Sequence, residues 1–287
     1  HTGALSTWTR RFTGEVTEWP QRWGRTGSPS AYAPIVAAGI LRRLQAGASP
    51  LRSPLYRVLS TIGADLVAYW PMEEGSDATR YASALTGRAL MTVTGGTPSP
   101  AAYDGFLPSD PVPTLQDGRL YGAVRGFTGT GEAQVRMMLR IPTATPTGLF
   151  LRVRFSGGTL SRVDVGYGGA TSLTIEGFNS TGASVGAATW GISTGGKKLR
   201  FSLELLQSGG NVLPTIAVYE PGAAAAGFIS GTFTGVTLGA VSSVELNPLR
   251  TALGDVAVGH VSVEKAITSI FSTSQAVLLG HRGEPAD

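Results

Sequence analysis

The sequence predicts a mainly β protein: an antiparallel two-sheet sandwich of the jelly-roll type, flanked by a small α+β segment. Three observations predict it. From residue 66 to residue 265, bulky and polar side chains alternate with period two in one run after another. The runs recur at spacings of about 10–20 residues, split by turns rich in Gly, Asn and Pro, as in antiparallel sandwiches. Helical spacing is confined to the two ends of the chain.

Residues 8–23, "WTRRFTGEVTEWPQRW", alternate around Phe12 and Val16 and predict a β-ribbon stopped by Pro20. In "AYAPIVAAGILRRLQAG" the period changes. Ala37, Ile40, Leu41 and Leu44 predict one face of a helix, with Gly47 as its stop. Ser53 as N-cap and Pro54 at the first helical position predict a second, short helix carrying Leu55, Val58, Leu59 and Ile62 on one side.

The strands follow. "AQVRMMLRI" places Ala133, Val135, Met137, Leu139 and Ile141 on one face and Gln134, Arg136, Met138 and Arg140 on the other. "FLRVRFSGG" turns Leu151, Val153 and Phe155 inward and Arg152 and Arg154 outward. "LSRVDVGYGG" sets Val163, Val165 and Tyr167 against Arg162 and Asp164. "SLTIEGF", "KLRFSLELLQ", "TIAVYE" and "DVAVGHVSVEK" obey the same rule. "ITSIFSTSQAVLLG" then returns to helical spacing. The outward row of Arg136, Arg140, Arg152, Arg154, Arg162, Asp164, Glu176, Arg200 and Glu204 reads as a solvated sheet face, with a polar binding surface as the functional alternative.

Composition narrows the function classes. The 287 residues contain no Cys, which removes disulfides, thiolate metal sites and thiol nucleophiles together. No apolar run is long enough to span a bilayer, so no membrane association is expected. The first residues lack a basic stretch followed by an apolar one, so no signal peptide is expected, and without an initial Met the sequence reads as a piece of a longer polypeptide. Charge is uneven: residues 1–60 hold eight Arg against Glu15 and Glu18, and the remainder holds 15 basic and 17 acidic side chains. Those arginines lack interleaved stacking aromatics, so a solvated or protein-contacting surface is expected and nucleic acid is not.

Several short patterns suggest chemistry. Glu73 and Glu74 follow Trp70-Pro71 in "VAYWPMEEGSDATRYASALTG". Adjacent residues of an extended chain point to opposite faces, whereas a glycosidase needs two carboxylates about 5–10 Å apart across one bond. "GASVG" matches a Gly-x-Ser-x-Gly nucleophile pattern at Ser184, with Asp255 and His260 following in order, but it reads as a hairpin rather than a strand-turn-helix elbow. "GISTGGKK" ends in Lys198 where a phosphate loop needs Ser or Thr, and reads as a turn before a strand. Asn179 heads a sequon that reads as a polar turn. His1, His260 and His281 lie at no metal-ligand spacing, and His260 reads as a core or bulge residue. No cofactor and no metal are expected. Calcium is the one exception kept open, since scattered acids such as Asp255 and Glu73 can bind it without leaving a motif.

Two resemblances extend this reading. "ADLVAYWPMEEGSDAT" resembles the opening strand of concanavalin A-like (laminin-G-like) jelly rolls, and "VAVGHVSVEKAITSIFSTSQAVLLG" resembles their last strand and helical tail. The chain departs from that pattern at "YASALTG". "RRFTGEVTEWPQRW" with "YAPIVAAGILRRLQAG" is similar to minor tail or tail-hub proteins of actinobacterial siphophages, and "GHRGEPAD" to the return into such a hub. The resemblances imply residues 1–50 as a partial hub-like α+β segment, 51–64 as a linker helix, 65–268 as the jelly roll, and 269–287 as a C-terminal helix returning to the scaffold. They imply a structural tail-tip protein of the virion, assembled in the host cytoplasm and exposed outside. Its partners would be other tail proteins, copies of itself in a trimer, and a host-surface glycan. It is expected not to be an enzyme, with no catalytic residues. Assembly contacts would come from Arg10, Arg11, Arg22, Arg42 and Arg43, and ligand contacts from Trp190, Tyr167, Phe178, Arg152 and Arg154. The alternatives are a glycan-binding module and a polysaccharide-cleaving jelly roll.

Overall fold

The computed structural model describes residues 14–18, 36–39, 52–61, 63–129, 131–143, 147–168, 172–191, 195–220 and 227–268. The chain divides into two compact units, residues 1–52 and 53–287. In the first, β1 (Gly14–Glu18) pairs antiparallel with β2 (Val36–Gly39). The ribbon expected around Val16 is therefore present, but its partner strand occupies the start of the expected helix. Hydrogen bonding across the ribbon overrides the helical spacing that begins at Ala37. The remainder of that helix, and the tail over 269–287, lie outside the described residues.

The second unit opens with α1 (Pro54–Leu59), where Ser53 Oγ accepts from the Tyr56 N–H at 3.1 Å and caps the helix as its sequence predicts. The strands are β3 (Leu66–Trp70), β4 (Arg80–Tyr81), β5 (Met91–Gly95), β6 (Ser99–Tyr103), β7 (Val112–Thr114), β8 (Arg119–Ala123), β9 (Glu132–Arg140) and β10 (Gly148–Ser156). They continue as β11 (Leu160–Tyr167), β12 (Ser172–Asn179), β13 (Ser184–Gly191), β14 (Lys198–Ser208), β15 (Asn211–Tyr219), β16 (Gly227–Ser230), β17 (Ala240–Leu246) and β18 (Ala257–Glu264). One antiparallel sheet runs β13-β12-β11-β10-β17-β8-β5-β4. The other runs β16-β15-β14-β9-β18-β7-β6, with β3 also paired to β18. The protein is thus a two-sheet antiparallel sandwich, as predicted.

The core lies between the sheets and follows the period-two pattern. Ala133, Val135, Met137, Leu139 and Ile141 are all buried. Trp70 fills the middle, and Gly122 on the facing sheet makes room for it: a Cβ at that position would lie 2.8 Å from the indole ring. Tyr69, one residue earlier, points to the opposite side of its sheet. There it joins Leu55, Leu59, Phe106, Val112 and Met138 in a second cluster under α1.

That second cluster corrects the expected solvated row. Arg136, Arg140, Arg200 and Glu204 lie on the β9–β14 sheet, while Arg152, Arg154, Arg162, Asp164 and Glu176 lie on the β10–β12 strands of the other. Arg136 and Arg200 are each only 4% exposed. Helix α1 covers part of their face, and Met138 within it is the sequence sign of that cover. Burial pulls the Arg136 guanidinium down to about 10, against the opposing pull of Glu264. No helix among the described residues is long and apolar enough to cross a membrane.

Candidate functional site

The outward face of the β10–β12 sheet carries two rows of side chains, set by the strand register. The first row crosses the sheet as Tyr121, Glu245, Arg152, Asp164, Glu176 and Ala187. The second crosses as Ser243, Arg154, Arg162, Phe178 and Ser184. Period-two alternation along each strand puts both rows on one side, because the residues between them are the core's Val153, Val163, Gly177 and Val244.

Two carboxylates organise these rows. Glu245 is 1% exposed and sits between Arg119, whose Nη2 donates to Oε2 at 2.7 Å, and Arg154, whose Nε donates to Oε1 at 2.5 Å. Asp164 takes both Nε and Nη2 of Arg152 at 2.7 Å, a bidentate pair, and the Nε of Arg162 at 3.4 Å. The Asp164 hydrogen bonds push the Arg152 guanidinium further up, which keeps its charge fixed. The Arg162 guanidinium lies over the Phe178 ring, 3.8 Å from its centroid. Arg119, Arg152, Arg154 and Arg162 thus meet the buried carboxylates of Glu245 and Asp164 on a partly exposed platform, with Glu176, the Phe178 ring and the exposed Ser184 on the neighbouring strands.

A second polar cluster is enclosed where β3 ends. His260 sits at a break in register between Gly259 and Ser262, with a left-handed backbone (φ 51°), as does Met72 (φ 66°). Its Nδ1 lies 2.7 Å from the Tyr69 hydroxyl, and its Nε2 lies 2.7 Å from Ser109 Oγ and 3.1 Å from Glu73 Oε1. Glu73 Oε1 also accepts from Ser109 Oγ and from the Asp110 N–H, both at 2.9 Å. Burial pulls the Glu73 carboxyl up, but His260 and the hydroxyls of Ser53 and Ser109 outweigh it and leave it lowered. Glu74 instead accepts from the Ala82 N–H at 2.6 Å. The adjacent glutamates are therefore split between different partners, but in the loop after β3 and not in the extended strand that the sequence suggested.

Of the ligand residues expected from the sequence, Arg152, Arg154 and Phe178 come together on the platform. Tyr167 is corrected: it is 2% exposed and stacks on Phe150 in the core, so it offers no ring to solvent. Trp190, on edge strand β13, is half-buried against the core opposite Leu173. Arg10, Arg11, Arg22, Arg42 and Arg43 lie outside the described residues. Ser184 stands at the exposed start of β13 and His260 is buried in the opposite sheet, so the Gly-x-Ser-x-Gly pattern assembles no triad with it. Asn179 is a polar turn: its Oδ1 accepts from the N–H groups of Thr181 and Ala183. Asp255 accepts from Gln116 at 3.3 Å, and no group of three or more acids or histidines among the described residues could hold a metal ion. Sequence reasoning did not single out Arg119 and Glu245. The one available signal was a lone acid at an alternate position of "AVSSVEL".

No protein-family model matches the sequence, and no curated protein matches it. Solved structures of similar fold include the Trypanosoma rangeli sialidase, with 14% identity and a TM-score of 0.46 over 76% of this chain and 33% of that one. The carbohydrate-binding domain CBM40 of the Ruminococcus gnavus IT-sialidase, bound to α2,3-sialyllactose, aligns with 10% identity and a TM-score of 0.34 over 53% of this chain and 84% of that one. The enzymatically active domain of bacteriophage CBA120 tailspike protein 2 aligns with 13% identity and a TM-score of 0.40 over 63% of this chain and 29% of that one. This chain thus spans about a third of the sialidase it matches. The likeness is one of β-sandwich fold alone. The expectation that the chain is not an enzyme is corrected here, because sialidases stand among the structures of similar fold and the exclusion does not hold.

Proposed function

We propose that the chain is a tail-tip component of a phage, in which the β-sandwich is a displayed module that attaches to a glycan of the host surface. The observation that supports the display reading is the pairing of the sandwich's first and last strands. Val261 stands opposite Trp70 and Val263 opposite Ala68, and the Lys265 N–H donates to the Asp65 carbonyl at 3.0 Å. Chain enters and leaves the sandwich side by side, so the module can hang from a scaffold formed by its flanks without stretching or crossing either one. The charged platform on the far sheet is the surface offered for attachment, and the tail-hub resemblance of "RRFTGEVTEWPQRW" gives the scaffold its character.

The test is to locate the chain. Mass spectrometry and single-particle imaging of purified virions are expected to find it at the tail tip, in threefold register. A soluble monomer with no copy in the tail would overturn the proposal. Pull-down on host envelopes is expected to retain the protein, and envelopes stripped of polysaccharide are expected to lose it.

A further inference from the structure

We infer that Arg154 and Arg162 form a fork for the carboxylate of an acidic sugar. This deepens the attachment reading and rests on it for its biological setting, while the binding itself is a property of the sandwich. The two residues are directly opposite each other on neighbouring antiparallel strands. Like charges in that arrangement repel and destabilise the pair. Neither arginine is needed to neutralise the carboxylate it touches: Glu245 already has Arg119, and Asp164 already has both nitrogens of Arg152.

The way they are held supports a ligand role. Each uses its Nε to grip a carboxylate, Arg154 to Glu245 and Arg162 to Asp164, which fixes the plane of the guanidinium. The terminal nitrogens are then the groups left to face outward, and the side chains are 40% and 24% exposed. Phe178 supports the second guanidinium from below, and Ser184 ends the row with an exposed hydroxyl. The row contains no acid, whereas the adjoining row contains Glu245, Asp164 and Glu176. A single carboxylate flanked by sugar hydroxyls suits this layout. A polyphosphate chain does not, because its neighbouring charges would run onto those three acids.

The experiment titrates the full chain with methyl glucuronoside and a hyaluronan disaccharide, each a single carboxylate and each beside its methyl ester, by calorimetry and amide chemical shifts. The acids are expected to bind at least about tenfold more tightly than the esters, since a charge-assisted pair is lost on esterification. Arg154→Gln is expected to weaken binding by about tenfold without moving the thermal midpoint, because Arg119 remains on Glu245. Arg162→Lys keeps the charge but cannot grip Asp164 and present a fork at once, so it too should lose about tenfold, an outcome that simple charge attraction would not produce. Equal binding of acid and ester, unchanged affinity in both variants, failure of both acids to bind, or tighter binding of a single-stranded DNA would each overturn the fork. Host-envelope binding retained in both variants would overturn the fork and leave the attachment reading intact. Fork-dependent sugar binding by a chain absent from virions would uphold the fork and overturn the tail-tip reading.

Discussion

The Tyr69 hydroxyl and His260 Nδ1 lie 2.7 Å apart, and the bond ties the first strand of the sandwich to the last across 191 residues of sequence. Its direction follows from the neighbours. Glu73 and Ser109 crowd Nε2, so the ring N–H belongs there and Nδ1 accepts. Burial pushes the Tyr69 hydroxyl far above its usual range, so it stays protonated and donates. Tyr69→Phe leaves that buried nitrogen without its donor and is expected to cost about 1–3 kcal/mol in urea unfolding. The same substitution at Tyr121, on the outward face, should cost far less.

Acid should weaken this corner. The folded Glu73 carboxyl is held below its usual value, so it contributes stability at and above the range where an unfolded glutamate ionises. That contribution is lost as pH falls through the folded value. The urea midpoint is therefore expected to drop on acidification, and Glu73→Gln should show a shallower drop than the parent over the same range. Parallel curves would remove Glu73 as the source.

Arg136 and Glu264 form a buried pair at 2.5 Å, both under 6% exposed as side chains, with Gln134 and Thr268 completing the cage around the guanidinium. Burial pushes the Glu264 carboxyl up and Arg136 pulls it back. Glu264→Ala strands a buried cation and is expected to cost about 3–5 kcal/mol. The double variant Arg136→Met, Glu264→Leu should recover most of that loss, as measured by chemical denaturation.

Trp70 and Gly122 constrain each other across the core. Gly122→Ala would place a methyl 2.8 Å from the indole and is expected to cost about 1–3 kcal/mol through overpacking. Trp70→Ala, which empties the middle of the sandwich, should cost about 3–5 kcal/mol. In the double variant the glycine penalty should largely vanish, because the clash that causes it is gone.

The alternation of "AQVRMMLRI" and "LSRVDVGYGG" was enough to read the strands, because a residue's face in an antiparallel sheet depends only on its parity. Parity does not say which sheet a strand joins or what covers its outer side. That is why Arg136 and Arg152 looked alike in sequence, yet one lies under α1's face with 5% of its side chain exposed and the other keeps 14% in solvent. Tyr167 was legible as inward by the same parity, and its role as an exposed aromatic contradicted that pattern. At Ala37 a local helical spacing lost to a long-range ladder with β1. Of the Tyr69–His260–Ser109–Glu73 cluster only His260 was legible, as a core or bulge residue; its partners come from separate turns and strands that no spacing rule joins. The platform was half visible: Arg152, Arg154 and Phe178 share it, but Glu245, which positions Arg154, came from a strand too short on charge to attract notice.

The side-by-side ends of β3 and β18 also decide how the module bears mechanical load. Leu66 faces Glu264 at the open end of the pair, and Trp70 faces Val261 deep in the body. A pull that separates the two flanks would open this ladder like a zipper, one rung after another from the Leu66 side. A pull on the distant arginine face instead tensions both strands in the same direction, as two ropes on one hook, and tugs on many rungs at once. The sandwich therefore resists traction applied at that face and yields when its two roots are prised apart.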